Sequence, residues 1–318
     1  MSVAQRNAQG SSDHIVVDAS GQLPCGARQW HTEPMLPDSS PATVRDTLDL
    51  ARAALPEARA DADRLLAWLC DTNLAGLRAR PERVLSDALL RRFNDLVRRR
   101  AAGEPLAYLT GQREFWSLSL AVGPGVLVPR PETEGLVEAL LARVPANRHG
   151  WVADVGCGSG NLSVALAQER AGLQLLAVEF SAAALPWAQR NLLDHGQQRC
   201  HLLQGDLLAP VANGCLLAVV ANLPYIANDD PDVHPDTDRH EPAQALYAED
   251  DGLALIARLV MQAARALQPG GWLLLEHGWR QHEAVQALLQ QRRYGDIETL
   301  MDLAGHPRIT LGRIPELV

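Results

Sequence analysis

A short apolar segment, Leu217-Ala218-Val219-Val220-Ala221, is followed directly by Asn222-Leu223-Pro224-Tyr225. The first five residues are small or apolar and two of them are β-branched, which is typical of a buried parallel strand. The next four residues cannot continue a strand or a helix, because proline lacks a backbone N–H and restricts the residue before it. In an open α/β sheet, ligands bind at the carboxyl ends of the strands. This junction therefore predicts a pocket for a small, planar, polar group.

Strand and helix patterns alternate after Gly150. Strands are predicted near 151–155, 173–179, 200–204, 216–221, 271–276, 296–302 and 308–313. Helices are predicted near 160–170, 181–195, 250–268 and 280–292. This alternation indicates an α/β fold in which helices cover both faces of a mostly parallel sheet.

The sequence before this alternating region divides into shorter parts. Residues 1–41 are rich in Ser, Gly, Gln and Pro and show no periodicity, which predicts a disordered leader. Residues 42–112 carry apolar side chains at helical spacing and predict a small helical domain. A rough alternation of polar and apolar residues predicts a β-hairpin linker at 113–128, followed by the main domain at 129–318.

The overall composition limits the classes of function. The net charge is -9, which argues against direct nucleic-acid binding by the surface as a whole. All 29 basic residues are arginine, which excludes Schiff-base catalysis by lysine. The five cysteines show no paired spacing, so we expect neither a disulfide framework nor a metal site. With neither a long apolar segment nor a secretory signal, we expect no membrane association and a cytoplasmic location.

The first predicted strand ends in a glycine-rich loop. Its sequence is Asp154-Val155-Gly156-Cys157-Gly158-Ser159-Gly160. Glycines let the backbone turn sharply and approach a ligand closely, just before the N-terminus of a helix. The spacing differs from the GxGxxG pattern of dinucleotide enzymes. We therefore expect Asp154 and the loop residues Gly156, Cys157, Gly158, Ser159 and Gly160 to bind a cofactor that contains a nucleoside.

Two further strand ends carry residues that suit a nucleoside. Glu179 ends the second predicted strand, where a carboxylate can accept hydrogen bonds from both ribose hydroxyls. Asp206 and Leu207 follow the third strand, where they can bind the adenine amino group and pack on the ring. Asn222, at the next strand end, is expected to contact the cofactor as well. No group suited to a pyrophosphate is evident, which favours S-adenosylmethionine (SAM) over a dinucleotide.

These motifs together resemble those of the peptide chain release factor glutamine methyltransferases, which methylate the amide nitrogen of a Gln side chain. The resemblance covers about 43 to 315 and rests on residues 103–111, 113–116, 129–134, 154–160, 239–242 and 273–279. It implies a seven-stranded, Rossmann-like methyltransferase sheet with an antiparallel last strand. It also implies SAM as the cofactor and a release factor as the protein substrate. We expect residues 42–112 to recognise that substrate, because a single glutamine amide offers too little surface for specificity. We expect the protein to be a monomer.

The tetrad at 222–225 departs from the family pattern at one position. The family has Asn-Pro-Pro-Tyr, whereas this chain has Leu223 in second place. By resemblance, the Asn222 side-chain oxygen and the backbone carbonyl of residue 223 accept the two N–H bonds of the substrate amide. Leucine supplies that carbonyl as proline does, and Pro224 favours an extended Leu223. Tyr225 is expected to line the pocket and stack on the amide plane.

Three alternative functions remain open on the sequence alone. An adenine-N6 methyltransferase of DNA or RNA would suit the same tetrad, although no basic recognition domain follows the sheet. A glutamine methyltransferase of a ribosomal protein shares the tetrad type. A SAM-binding scaffold that lost activity through Leu223 is the third alternative. His277 is interpreted as a hydrogen-bonded core histidine, and Cys157 as a small loop residue, rather than as catalytic groups.

Overall fold

Five helices form the first part of the protein. The computed structural model describes residues 42–228, 230 and 234–316, so the predicted leader at 1–41 lies outside the described residues. The helices are α1 (Val44–Ala54), α2 (Arg59–Leu69), α3 (Leu74–Arg78), α4 (Asp87–Ala101) and α5 (Leu106–Thr110). Thr43 and Asp46 close a capping box on α1, and the Ser86 hydroxyl accepts the Leu89 N–H at the start of α4. Their apolar faces pack into a separate core around the fully buried Phe93.

The remaining elements follow in a regular order. A hairpin of β1 (Gln112–Phe115) and β2 (Leu118–Ala121) leads to α6 (Glu134–Arg143). The main sheet and its helices are β3 (Gly150–Val155), α7 (Asn161–Glu169), β4 (Leu173–Glu179), α8 (Leu185–His195), β5 (Cys200–Gln204), β6 (Leu216–Asn222), α9 (Pro235–His240), α10 (Ala254–Ala266), β7 (Leu267–Glu276), α11 (His282–Gln291), β8 (Gly295–Met301) and β9 (Pro307–Arg313). No helix among the described residues is both long and apolar enough to cross a bilayer.

The seven strands of the main sheet lie in the order β5-β4-β3-β6-β7-β9-β8. The strands from β5 to β7 are parallel, while β9 runs antiparallel to both of its neighbours. Strand β3 pairs with β4 on one side and with β6 on the other, so the direction of winding reverses between β3 and β6. The predicted α/β fold, with a seven-stranded sheet whose last strand is antiparallel, is confirmed.

Both faces of the sheet are covered, as the apolar strands predicted. Along β6, Ala218 and Val220 pack with α6, α7 and α8, whereas Val219 and Ala221 pack with α10 and α11. This alternation follows from the two-residue period of a strand. A strand that is buried on both faces has no polar side, which is why the segment reads as a continuous apolar run.

The predicted hairpin linker is shorter than expected. Its strands end at Ala121, and the residues that follow pack against α8 instead of extending the hairpin. The side chain of the buried Asn191 on α8 accepts the Ala121 N–H at 2.7 Å and donates to the carbonyls of Ala121 and Ser159. Segment 122–130 thus forms a wall beside the glycine loop.

The sequence patterns did not predict α9, and the reason is visible in its burial. This six-residue helix has no buried residue, so it lacks the apolar periodicity that marks longer helices. A weaker signal was available. Pro235 stands at its first position with acidic residues after it, which is typical of a helix start.

Candidate active site

A cavity of about 350 Å³ lies at the carboxyl ends of the parallel strands, where the winding of the sheet reverses. Its walls include the glycine loop and the residues that follow β4, β5 and β6. Further wall residues come from the segment before α6 and from the segment after α9. The three strand ends that were predicted to share a nucleoside site therefore meet at one cavity.

The glycine loop turns from β3 into α7 by left-handed backbone conformations. Gly156, Gly158 and Gly160 have φ values of +72°, +55° and +79°. A β-carbon on Gly156 would lie 2.8 Å from the Leu223 side chain, so a larger residue here would require that side chain to shift. Cys157 is buried in this loop, and burial raises the pKa of its thiol well above the usual value. The neutral thiol fits its interpretation as a small packing residue.

Both carboxylate oxygens of Glu179 already accept hydrogen bonds from the loops beside it. Oε2 accepts the Gly158 N–H at 2.8 Å, and Oε1 accepts the Ser181 N–H at 2.7 Å. A carboxylate offers about four lone-pair positions, so two remain for a ligand. Glu179 therefore shapes the glycine loop in addition to facing the cavity.

Asp154 is fully buried beneath the same loop. Its Oδ2 accepts the backbone N–H and the hydroxyl of Ser163, which joins the end of β3 to the first turn of α7. Burial raises the pKa of Asp154 to about 7 against the opposing effect of Ser163. Within the described part of the chain, Asp154 Oδ1 and the hydroxyls of Ser159 and Ser181 have no hydrogen-bond partner. All three residues line the cavity, so these atoms fit a ligand that is rich in polar groups.

Asp206 lies at the cavity in a more exposed position than Glu179. Its carboxylate accepts a hydrogen bond of 2.6 Å from Arg258 on α10, so a second charge stands beside the predicted adenine contact. The neighbouring Leu207 is buried, lines the cavity and has a φ of +51°. The apolar surface of Leu207 therefore remains available to an aromatic ring.

The first three residues of the tetrad line the cavity. Asn222 Nδ2 donates to the hydroxyl of Thr133 at 2.9 Å. The Leu223 side chain is buried against the glycine loop, and Pro224 follows it in the wall. Leucine therefore fills space at this position besides supplying a backbone carbonyl.

The structure places Tyr225 differently from the expectation. Its ring packs with the core between the sheet, α10 and α11, and it is absent from the cavity wall. Its hydroxyl donates to Glu276 Oε1 at 3.3 Å, and its carbonyl accepts a hydrogen bond from Gln281. The physical reason is that Glu276, at the end of the adjacent strand β7, is buried and needs a donor.

Two buried titratable residues lie side by side at the end of β7. Burial raises the pKa of Glu276 to about 7, while Thr133, Arg308 and Tyr225 act in the opposite direction. His277 hydrogen bonds to Thr310 Oγ1 at 2.7 Å and to the Gly278 carbonyl at 2.9 Å. Burial lowers the pKa of His277 to about 4, so the ring is neutral near pH 7. Its interpretation as a hydrogen-bonded core histidine is confirmed.

Four residues of the cavity region had no functional assignment from the sequence. Thr133 and Arg130 lie in the segment before α6, Phe180 follows Glu179 with an exposed ring, and Glu241 follows α9. Glu241 is buried, accepts the Val128 N–H at 2.9 Å and forms an ion pair with Arg130. Arg130, Thr133 and Glu241 lie in the family motifs at 129–134 and 239–242, which were the available signal for them.

Comparison with known proteins links both parts of the chain to one family. The model of the PrmC N-terminal domain matches residues 47–111, and that of the methyltransferase small domain matches residues 133–236. The chain is 41% identical over 255 residues to the release factor glutamine methyltransferase of Escherichia coli (strain K12), covering 80% of this chain and 92% of the relative. It is 40% identical over 266 residues to the protein of that name from Xylella fastidiosa (strain Temecula1), covering 84% and 97%.

The raised pKa of Asp154 leads to a test by pH-dependent unfolding. The folded protein holds this proton up to about pH 7, whereas the unfolded chain releases it near pH 4. Stability is therefore lost as the pH rises between these values, and it is not regained above pH 7. We expect Asp154→Asn, which keeps an acceptor oxygen, to weaken this fall.

Urea unfolding from pH 4 to pH 8 measures the effect, with Asp194→Asn as a surface control. The Asp194 variant should give a curve parallel to that of the wild type. A slope in Asp154→Asn equal to the wild-type slope would show that Asp154 is not protonated in the fold.

Proposed function

The chain belongs to the release factor glutamine methyltransferases, and we propose that it methylates the side-chain amide nitrogen of a glutamine in a peptide chain release factor. One observation supports this proposal most directly. Asn222, Leu223 and Pro224 form one wall of the cavity that the glycine loop also lines. A small amide group held at that wall would lie beside a cofactor held by the loop.

The residues of the cavity fit SAM, which supplies an electrophilic methyl group when it is bound. We assign Asp154 and the glycine loop to the amino-acid part, Glu179 to the ribose, and Asp206 with Leu207 to the adenine. Two lone-pair positions of Glu179 remain for a ligand, and the hydroxyls of Ser159 and Ser181 have no hydrogen-bond partner among the described residues; both observations support this assignment, because buried polar atoms need partners.

Orientation of the substrate amide is the main task that we assign to the tetrad. An amide nitrogen is a poor nucleophile because its lone pair is delocalised into the carbonyl group. If Asn222 Oδ1 and the Leu223 carbonyl accept its two N–H bonds, the nitrogen is held with its lone pair directed toward the methyl donor. Tyr225 lies behind the cavity wall. Its hydrogen bonds to Glu276 and Gln281 hold the last residue of the tetrad in place.

We further propose that the helical region, residues 42–112, contacts the release factor. A single glutamine side chain offers too little surface for recognition of one protein. The helical region is joined to the cavity wall, because Arg239 and His240 hydrogen bond to the Ala102 carbonyl and the Tyr108 hydroxyl donates to the Val126 carbonyl at 2.6 Å. A monomer in the cytoplasm, where release factors work, is consistent with this proposal.

Substitution of Asn222 by alanine tests the chemical assignment. We expect turnover of purified release factor to fall about 10²-fold or more, which is the scale of losing one preorganised hydrogen-bond partner. Transfer from labelled SAM under single-turnover conditions gives the rate, with DNA, RNA and ribosomal protein as alternative acceptors. Asn213→Ala is the matched control, because Asn213 precedes β6 at the opposite edge of the sheet. Preferred methylation of DNA or RNA by the wild type would refute the proposed function.

Leu223→Pro separates the backbone contribution of this position from its packing. Proline keeps the carbonyl that we assign to the substrate but loses the leucine side chain buried against Gly156. We therefore expect turnover within a few-fold of the wild type and a free energy of unfolding lower by about 1–3 kcal/mol. Calorimetry and single-turnover rates at saturating SAM measure the two effects. A large loss of rate in a folded variant would contradict the assignment of the carbonyl.

Hydrogen exchange on the intact enzyme tests the contact surface of the helical region. Addition of release factor should slow exchange of amides in α1 to α4 as well as around the cavity. SAM alone serves as the control and should protect the glycine loop without protecting these helices. Protection by release factor that is confined to the cavity would show that the helical region does not bind the substrate.

A further inference from the structure

One face of α10 holds the loop that follows β5. Residues Arg258, Gln262 and Arg265 are spaced by four and three positions along this helix, which places them on the same face. Gln262 Oε1 accepts the Leu208 N–H at 2.7 Å, and Arg265 donates to the Leu208 carbonyl at 2.6 Å. Arg258 donates to Asp206 Oδ2 at 2.6 Å. Helix α10 therefore fixes this loop at several points.

This anchoring explains the backbone conformation of Leu207. Its φ of +51° lies in the left-handed region, which is uncommon for residues other than glycine. Such a conformation persists where the surrounding structure fixes it, and it is common at functional sites. Here Asp206 is held through its side chain and Leu208 through its backbone, so the buried Leu207 is kept in the cavity wall.

Of the three residues on this face of α10, Arg258 is the one that also lines the cavity, together with Asp206 and Leu207. Both side chains of the ion pair are about half exposed, 45% for Arg258 and 48% for Asp206. In the described part of the chain, no donor other than Arg258 hydrogen bonds to the Asp206 carboxylate. Lone pairs of this carboxylate therefore remain for a ligand in the cavity.

We propose that Arg258 is a positioning residue that makes the cavity selective for the 6-amino group of adenine. The proposal rests on the proposed function, in which Asp206 and Leu207 receive the adenine of SAM. The 6-amino group donates hydrogen bonds and the ion-paired Asp206 only accepts them, so the two groups match. Hypoxanthine has an oxygen at this position, and two acceptors form no hydrogen bond.

Arg258 contributes to this selectivity by limiting the freedom of the Asp206 carboxylate. A half-exposed aspartate side chain would otherwise sample several rotamers, and fixing one of them on binding reduces affinity. The ion pair with Arg258 removes part of this cost before the ligand binds. Replacing Arg258 should therefore weaken the contact with the amino group, while the ring still packs on Leu207.

Binding of S-adenosylhomocysteine and of its hypoxanthine counterpart, S-inosylhomocysteine, provides the first test. We expect the wild type to bind the adenine compound about 10-fold more tightly, the lower end of the range for a hydrogen bond to a charged group. Arg258→Met keeps the length of the side chain and loses its donors, so this ratio should fall to about threefold or less. Arg258→Lys, which keeps a charged donor, should restore most of the ratio. Calorimetry gives both dissociation constants without methyl transfer.

Arg190→Met is the matched control for these measurements. Arg190 is another exposed arginine that forms an ion pair with an aspartate, Asp194, and both lie on α8. This variant should keep the wild-type ratio of the two dissociation constants. Thermal unfolding of each variant checks that the fold is intact.

Substitution of Asp206 provides the second test. In Asp206→Asn, the side-chain oxygen can still accept the hydrogen bond from Arg258, which directs the NH₂ group toward the cavity. The preference should then shift toward the hypoxanthine compound. Adding Arg258→Met to this variant should abolish the shift, because the orientation of the amide is then no longer fixed.

The outcomes separate this proposal from the proposed function. A wild type that binds S-adenosylhomocysteine but does not distinguish it from the hypoxanthine compound refutes the assignment of adenine to Asp206. A wild-type ratio that persists in a folded Arg258→Met variant refutes the positioning by Arg258. A wild type that shows the selectivity and transfers no methyl group to glutamine refutes the proposed reaction and supports the cofactor selectivity.

Discussion

The pairing of strand β3 with strand β6 is the constraint on which the cavity depends. Strands β3 and β6 are neighbours, and their residues Val155 and Ala221 are paired, so the two loops leave the sheet side by side. A β-carbon on Gly156 would lie 2.8 Å from the leucine side chain, and the φ of +72° also favours glycine. The loop assigned to the cofactor and the tetrad assigned to the substrate therefore share one wall.

The carboxyl edge of the sheet contains two fully buried carboxyl groups, Asp154 and Glu276. Burial raises the pKa of each to about 7, and this costs stability at neutral pH. Each group also orders its neighbours. Asp154 holds the first turn of α7 through Ser163, and Glu276 holds Tyr225. Buried carboxyl groups that reduce the stability of the fold are common at functional sites, where precise placement of side chains matters more than stability.

One connection between the helical region and the cavity runs through the short segment 239–241. His240 hydrogen bonds to the Ala102 carbonyl at the end of α4, and the adjacent Glu241 binds Arg130 and the Val128 N–H in the cavity wall. A movement of the helices relative to the sheet would strain contacts that also shape the cavity. Family motifs at 239–242 and 129–134 indicated that these segments matter, but each motif finds its partner more than 100 residues away.

The sequence by itself predicted the seven strands of the main sheet, most of the helices between them, and the edge of the sheet at which the cavity lies. The strands at 173–179 and 200–204 have the predicted bounds, because apolar runs between turn residues are local signals. Only the tertiary structure decided the partners of the site side chains. Tyr225 hydrogen bonds to Glu276, Asp206 to Arg258, and Asn222 to Thr133. The two partners are separated by 51, 52 and 89 residues of sequence, respectively. Hydrogen-bond partners depend on which side chains the packing of helices and strands brings within hydrogen-bonding distance. The spacing of residues along the sequence does not give the distance between them in space.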